Sequence, residues 1–196
     1  MSPSNSPLSP WWGLFAIFSV GFPLFFLFQP PPLEDYGPLP SFSLVDQNNN
    51  KASFSSFTGQ PSISNFIFTR CQDVCPALSS RMAHIHEKIP KAALFSITVD
   101  PEYDKPDVLK TYANRFQANH KLWRFLTGSK EEQHKITRGF QQAYERQNND
   151  EKNPIILHSQ KFILVDKDGH IRGFYPDTAK GTKSLLRDYH SLNRFF

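Results

Sequence analysis

The sequence predicts an α/β sandwich built on a mixed β-sheet. Segments with strand periodicity and segments with helix periodicity alternate along the chain, which favours parallel neighbouring strands. The pattern ends in two strands around Asp168-Gly169, a strong signal for a two-residue hairpin turn. With 196 residues, the chain has room for one domain with a full hydrophobic core and an accessory segment.

The accessory segment precedes the predicted domain. Residues 1–10 form a Ser/Pro-rich tail, and residues 11–28 are uncharged and mostly apolar. At about 1.5 Å per residue, this apolar run approaches the roughly 30 Å hydrocarbon core of a bilayer, so we expect an uncleaved transmembrane anchor. Neither the uncharged start nor the ending Phe28-Gln29-Pro30 is typical of a cleaved signal peptide. Residues 29–38 predict a Pro-rich extended linker, and residues 39–196 the domain.

The first half of the domain shows turn and helix signals between apolar runs. An Asp/Asn cluster at residues 46–50 supplies turn chemistry for an N-terminal β-hairpin. Pro76 fits the first position of a helix, and Pro90 ends the helical pattern. The predicted elements are hairpin strands at 42–45 and 51–57, a buried strand at 62–68, a helix from Pro76, and a strand at 94–99.

The second half continues the alternation. Ser129 and Glu132 form a capping-box pattern, and the helix they open is expected to continue through Ile136, Phe140 and Tyr144. The other predicted elements are a helix opened by Asp104-Lys105-Pro106, a strand at 123–126, a polar loop at 147–153, hairpin strands at 161–165 and 171–175, and a last helix capped by Thr182.

The two cysteines of the chain stand where the first buried strand passes into a helix. Cys71 and Cys75 are four residues apart, and Cys75 takes the N-cap position if Pro76 begins the helix. The positive end of the helix dipole favours a thiolate there, which serves either thiol–disulfide exchange or a soft metal ion. Arg70 either favours this thiolate or is solvated, and Asp100 and Asp104 suit a turn and a helix cap.

The net charge of +4 is spread along the chain, which argues against nucleic-acid binding.

A third ligand would decide between redox exchange and metal binding. Two thiolates suit Cu(I), and an imidazole would complete a three-coordinate site. Of the seven histidines, His158 stands out because it follows an apolar run and precedes a buried strand. Thiol exchange needs no third ligand, and three protein ligands leave a structural zinc site incomplete. A peroxide-scavenging thiol enzyme would need further polar groups, for which no motif is seen.

Four segments, in this order, resemble motifs of the Sco/SenC family of copper-binding, thioredoxin-like proteins. They are Thr69-Arg70-Cys71-Gln72-Asp73-Val74-Cys75-Pro76, Thr98-Val99-Asp100-Pro101-Glu102 with Asp104 and Pro106, Trp123-Arg124-Phe125-Leu126-Thr127-Gly128, and His158-Ser159 followed by a strand and Asp166-Lys167-Asp168-Gly169. Two positions depart from the family pattern. Gln72 stands where the family usually has proline, and Leu157 where it often has aspartate.

The resemblance implies a thioredoxin-like fold in which Cys71, Cys75 and His158 bind one copper ion, as Cu(I), Cu(II) or both. It implies a chaperone that delivers copper to, or prepares, the binuclear copper site of cytochrome c oxidase. The alternative is a thiol–disulfide reductase acting on the cysteines of a copper protein or oxidase subunit. The expected partners are the oxidase copper-site subunit, a copper donor and a thiol reductase. The expected location is a bacterial inner membrane, with the domain in the periplasm.

Overall fold

The computed structural model describes residues 32–72, 74–141, 144–146, 156–158 and 160–193, and only the backbone of residues 144–146 and 156–158. Contacts within the chain define a compact unit over Leu33–Phe196. The predicted tail, the anchor, the start of the linker, the 147–153 loop and Asp73 lie outside the described residues. Among the described helices, none combines the length and apolar character needed to cross a membrane.

A seven-stranded mixed sheet forms the centre of the domain. Its strand order is β2-β1-β5-β4-β3-β8-β9, with β3, β4 and β5 parallel and the remaining pairs antiparallel. A second sheet pairs β6 with β7. The strands are β1 (Ser43–Asp46), β2 (Lys51–Ser53), β3 (Ser62–Ile67), β4 (Ala93–Thr98), β5 (Trp123–Thr127), β6 (Tyr144–Arg146), β7 (Ile156–His158), β8 (Lys161–Val165) and β9 (Ile171–Pro176).

In the described part of the chain, four α-helices connect or follow these strands: α1 (Val74–Lys88), α2 (Pro106–Arg115), α3 (Lys130–Gly139) and α4 (Ala179–Asn193). All six residues of β3 are buried, as expected for a central strand covered on both faces. The predicted α/β sandwich with a mixed sheet and an N-terminal hairpin is therefore confirmed.

Aromatic side chains fill much of the core. The Phe57 ring stacks on Phe95 with centroids 3.9 Å apart and meets Phe42 and Phe140 edge-on. Phe57 lies in a 3-10 helix, Phe54–Phe57, where the sequence predicts a continuing strand. The single helical turn moves Phe57 into the core, where its side chain is 1% exposed.

The residues of the predicted hairpin turns supply the hydrogen bonds and the backbone conformations that these turns need. Asp46 accepts hydrogen bonds from the backbone N–H groups of Asn48 and Asn50, at 2.8 and 2.9 Å. Between them, Asn49 adopts a positive φ of 61°, which asparagine tolerates better than most residues. Gly169 provides the same freedom, with a φ of 82°, at the turn between β8 and β9.

Two helix boundaries in the second half of the domain are predicted wrongly. The helix containing Ile136 ends at Gly139, and Tyr144 lies in β6 rather than on the helix. A Cβ atom at Gly139 would lie 2.2 Å from Pro40 Cδ, so Pro40 packs directly on the helix end. The last helix begins at Ala179, which places Thr182 inside it rather than at its cap.

The end of the predicted linker is hydrogen-bonded to the β8–β9 hairpin. The backbone N–H of Tyr36 donates to Ile171 O, and the N–H of Leu39 donates to Gly169 O, at 3.0 and 2.9 Å. The side chain of Asp35 accepts from His170 Nδ1 at 2.9 Å. These bonds hold the chain along the outer strand β9 before it enters β1.

Candidate metal and redox site

The candidate site lies at one edge of the sheet. Because β3, β4 and β5 are parallel, their carboxyl ends meet at the same edge, where α/β proteins commonly bind ligands. The loop after β3 carries Cys71, and the loop after β4 carries Asp100 and Asp104. Topology alone therefore brings the cysteine motif and the second motif together.

The two cysteines are brought into contact at the start of α1. The backbone N–H of Cys75 donates to Cys71 Sγ at 3.4 Å. Cys71 is partly exposed, whereas Cys75 is fully buried, and neither is joined in a disulfide bond. Cys71 is thus the more exposed residue of the pair, whereas Cys75 belongs to the core.

The predicted position and ionisation of Cys75 need correction. Helix α1 begins at Val74, so Cys75 lies in the first turn and not at the N-cap. The interaction with Cys71 and burial in the core both raise the pKa of the Cys75 thiol. The interaction with Cys71 and burial therefore outweigh the helix dipole, and this thiol stays protonated at neutral pH until a metal ion or another group replaces the proton.

A buried carboxylate fixes the residue at the start of the cysteine loop. The side chain of Asp104 is fully buried and accepts hydrogen bonds from the backbone N–H and the hydroxyl of Thr69. It also accepts from Thr98 Oγ1 at 2.5 Å. Desolvation raises the pKa of Asp104, against the effect of these hydrogen bonds. Asp104 is not the helix cap that the sequence suggests, since the N-cap of α2 is Lys105.

A second buried carboxylate holds the residue next to Cys71. Arg70 donates to Asp100 Oδ2 from Nε at 3.1 Å and from Nη2 at 2.5 Å. The Arg70 side chain is 14% exposed and that of Asp100 is 0% exposed. The guanidinium carbon also lies 4.4 Å from the ring centroid of Tyr103. Arg70 is therefore paired, and its solvated interpretation is wrong.

Through these two carboxylates, the loop after β4 holds the start of the cysteine loop in place by hydrogen bonds. Sequence reasoning treated Asp100 and Asp104 as local turn and cap residues and missed their long-range role. The sequence did contain a signal for this role. Asp100 and Asp104 directly follow the second buried strand, and the first buried strand precedes Cys71.

For His158, the structure describes the backbone alone. His158 ends β7 and pairs with Tyr144 of β6, and β8 begins three residues later at Lys161. Strand β8 runs antiparallel to β3, with Ser64 opposite Ile163, so its start lies beside the end of β3. The backbone of His158 thus belongs to the chain segment that enters the sheet at the cysteine edge. Among the side chains that are described, no group of three His, Cys, Asp or Glu residues is arranged to hold a metal ion.

The mixed sheet with a dithiol at a strand–helix junction defines a thioredoxin-like α/β protein. The chain belongs to the SCO1/SenC family, whose model matches residues 34–193. An SCO2-like protein of Rickettsia typhi is 35% identical over 156 residues, which cover 76% of this chain and 75% of the relative.

Two solved structures place the fold among Sco proteins. BsSco, described as containing a disulfide switch and as a member of the Sco family of cytochrome c oxidase assembly proteins, is 25% identical with a TM-score of 0.71. The similarity covers 85% of this chain and 100% of that one. Copper-bound ScoI of Arabidopsis thaliana is 23% identical with a TM-score of 0.70, covering 81% and 99% of the two chains. At 23% identity, the similarity to the Arabidopsis thaliana structure shows a common fold and nothing more.

Proposed function

We propose that this protein is a membrane-anchored copper chaperone that delivers copper to, or prepares, the binuclear copper site of cytochrome c oxidase. The observation that carries the proposal is the contact between Cys71 Sγ and the backbone of Cys75 at the start of α1. Two sulfur donors held together in this way fit a soft monovalent ion better than hard cations, which prefer oxygen ligands. Membership of the SCO1/SenC family supports the same cargo.

In this proposal, Cys71 and Cys75 supply two thiolates and His158 supplies a ring nitrogen. Copper enters from the side of Cys71, the partly exposed cysteine, and the proton of the buried Cys75 thiol leaves as the metal binds. The partner's ligands displace Cys71 before Cys75, because Cys71 is the more exposed of the two cysteines. Asp100 and Asp104, through Arg70 and Thr69, keep the loop in place during this exchange.

The proposed location is a bacterial inner membrane, with the domain in the periplasm and residues 11–28 as the anchor. Copper binding there requires the reduced pair, so a thiol reductase is a required partner together with a copper donor. Gln72, exposed in the loop, and Leu157, next to His158, replace residues usual in the family. We expect these two residues to set the affinity of this chain for copper.

The experiment is copper analysis of the reduced protein after loading and desalting. The expected result is about one copper per chain, with sharp losses in Cys71→Ser, Cys75→Ser and His158→Ala. His120→Ala is the matched control, since His120 bonds Asn114 and Gln47 away from the cysteine loop. Full copper retention by His158→Ala would remove the three-ligand site.

A thiol–disulfide reductase is the second candidate, supported by the contact between the two reduced cysteines. The Cys71 thiolate would attack a partner disulfide, and Cys75 would then displace the partner's second sulfur. The partner gains two electrons and two protons as Cys71 and Cys75 form a disulfide. Both cysteines are essential to this reaction and His158 is not. Preserved oxidase assembly with His158→Ala, together with its loss in either cysteine variant, would favour the reductase.

A further inference from the structure

Helix α3 carries a row of basic side chains along an open cleft. Lys130, His134 and Arg138 follow at intervals of four residues, which places them on one helix face, and Lys135 lies beside them. The cleft has a volume of about 730 Å³. Its lining consists of Pro40, Lys130, Glu131, His134, Lys135, Arg138 and Gly139.

The positive charges of this face are weakly neutralised by the protein itself. Lys130 lies 3.9 Å from Glu102 and Lys135 lies 3.8 Å from Glu132, and the side chains of the two lysines are 61% and 44% exposed. Such exposed pairs contribute little to stability, so a partner's carboxylates can replace them. Arg138 has no ion-pair partner among the residues that the structure describes. The acidic lining residue, Glu131, is bonded to the helix start, which lowers its pKa.

The basic face begins at the edge of the sheet that holds the cysteines. Lys130 follows the end of β5 at Thr127 by three residues, just as Cys71 follows the end of the parallel strand β3. Its partner Glu102 belongs to the same loop as Asp100 and Tyr103. From Lys130 to Arg138 the helix rises about 12 Å, so one bound segment can cover the face and reach the cysteine edge.

An exposed aromatic residue stands at the cysteine end of this face. Tyr103 is 47% exposed, and among the described residues only Tyr36 is another exposed large hydrophobic. The guanidinium of Arg70 lies over the Tyr103 ring. Tyrosine and arginine are enriched among the residues that anchor protein interfaces.

We propose that the α3 face, with Tyr103 at its end, docks an acidic segment of the protein that exchanges copper or electrons with Cys71 and Cys75. This inference rests on the proposed function, which requires such a partner, and it specifies the partner's chemistry. Carboxylates occupy the row of basic residues, and an apolar side chain contacts Tyr103. An anionic membrane surface is the competing occupant, and binding to phosphatidylglycerol vesicles distinguishes it from an acidic protein segment.

The test measures binding of a short fluorescent peptide of alternating Glu and Ser to the full chain in nanodiscs of neutral lipid. Lys135→Glu combined with Arg138→Glu is expected to weaken binding on the order of tenfold, and high salt should do the same. Lys180→Glu combined with Lys183→Glu on α4 is the matched control, with the same change in net charge on exposed positions. The milder pair Lys135→Gln and Arg138→Gln should give an intermediate loss and keeps the test valid if the reversal disturbs α3.

Three outcomes would overturn the proposal. They are an equal loss in the α4 control, binding of a Gln/Ser peptide as tight as that of the Glu/Ser peptide, and variant-sensitive binding to phosphatidylglycerol vesicles without binding of the peptide. The last outcome would assign the face to lipid. Copper content is measured on the same samples. If the docking variants lose peptide binding but keep their copper, the defect lies in this surface and not in the copper site. If wild-type protein binds the peptide but no copper, the proposed copper function is wrong, whereas the docking surface is not.

Discussion

Replacing Arg70 with glutamine tests whether the cysteine loop depends on a buried ion pair. The Asp100 carboxylate is fully buried, and Arg70 donates two hydrogen bonds to it. Removing one partner of a buried pair leaves an uncompensated charge, which typically costs about 3–5 kcal/mol. We expect Arg70→Gln to lower the unfolding free energy of the reduced domain from Leu33 onward by that amount, as measured by urea denaturation.

Arg81→Gln is the matched control, because it removes an arginine from a more exposed ion pair. The side chains of Arg81 and Asp177 are 38% and 14% exposed, so the expected loss is below about 1 kcal/mol. Combining Arg70→Gln with Asp100→Asn removes the buried charge itself and should recover part of the loss. Equal losses in the two arginine variants, or no recovery in the double variant, would refute the reasoning.

Urea denaturation also checks three further expectations. Gly139→Ala places a Cβ atom 2.2 Å from Pro40 Cδ and should destabilise the domain by about 1–3 kcal/mol; a gain in stability would contradict this packing. Trp123→Phe removes the bond from Trp123 Nε1 to Ser96 Oγ, 2.9 Å in the core, and should cost about 1–3 kcal/mol, so a loss near zero would refute it. Because burial raises the pKa of Asp104, its contribution to stability is lost as pH rises through that pKa. Wild type should lose stability relative to Asp104→Asn over this rise, and parallel pH profiles would contradict the assignment.

Local chemistry in the sequence was sufficient to predict the turns and most strands. Asp46 bonds the backbone of its own turn, and Gly169 supplies the positive φ of the last hairpin. Such features depend on neighbours in the sequence and need no knowledge of the fold. The helix containing Ile136 was extended to Tyr144 because the four-residue apolar spacing continues. The end of that helix is instead associated with the packing of Pro40, which lies far away in the sequence.

The sequence predicted that the two cysteines lie together, but not the surroundings of their thiols. The spacing of Cys71 and Cys75 before a helix indicated a thiol site, and the structure brings these residues into contact. The contact with Cys71 and the burial that together raise the pKa of Cys75 are tertiary properties, as are the hydrogen bonds accepted by Asp100 and Asp104. The role of His158 as a ligand stays a prediction, based on resemblance and on its place in the chain.

X-ray absorption spectroscopy of the copper-loaded, reduced protein tests the proposed site most directly. The proposal predicts a first shell of two sulfur atoms from Cys71 and Cys75 and one nitrogen atom from His158. It also predicts that His158→Ala loses the nitrogen contribution while both sulfur contributions remain. A shell of sulfur alone in wild type, with an identical spectrum for His158→Ala, would contradict the three-ligand copper site.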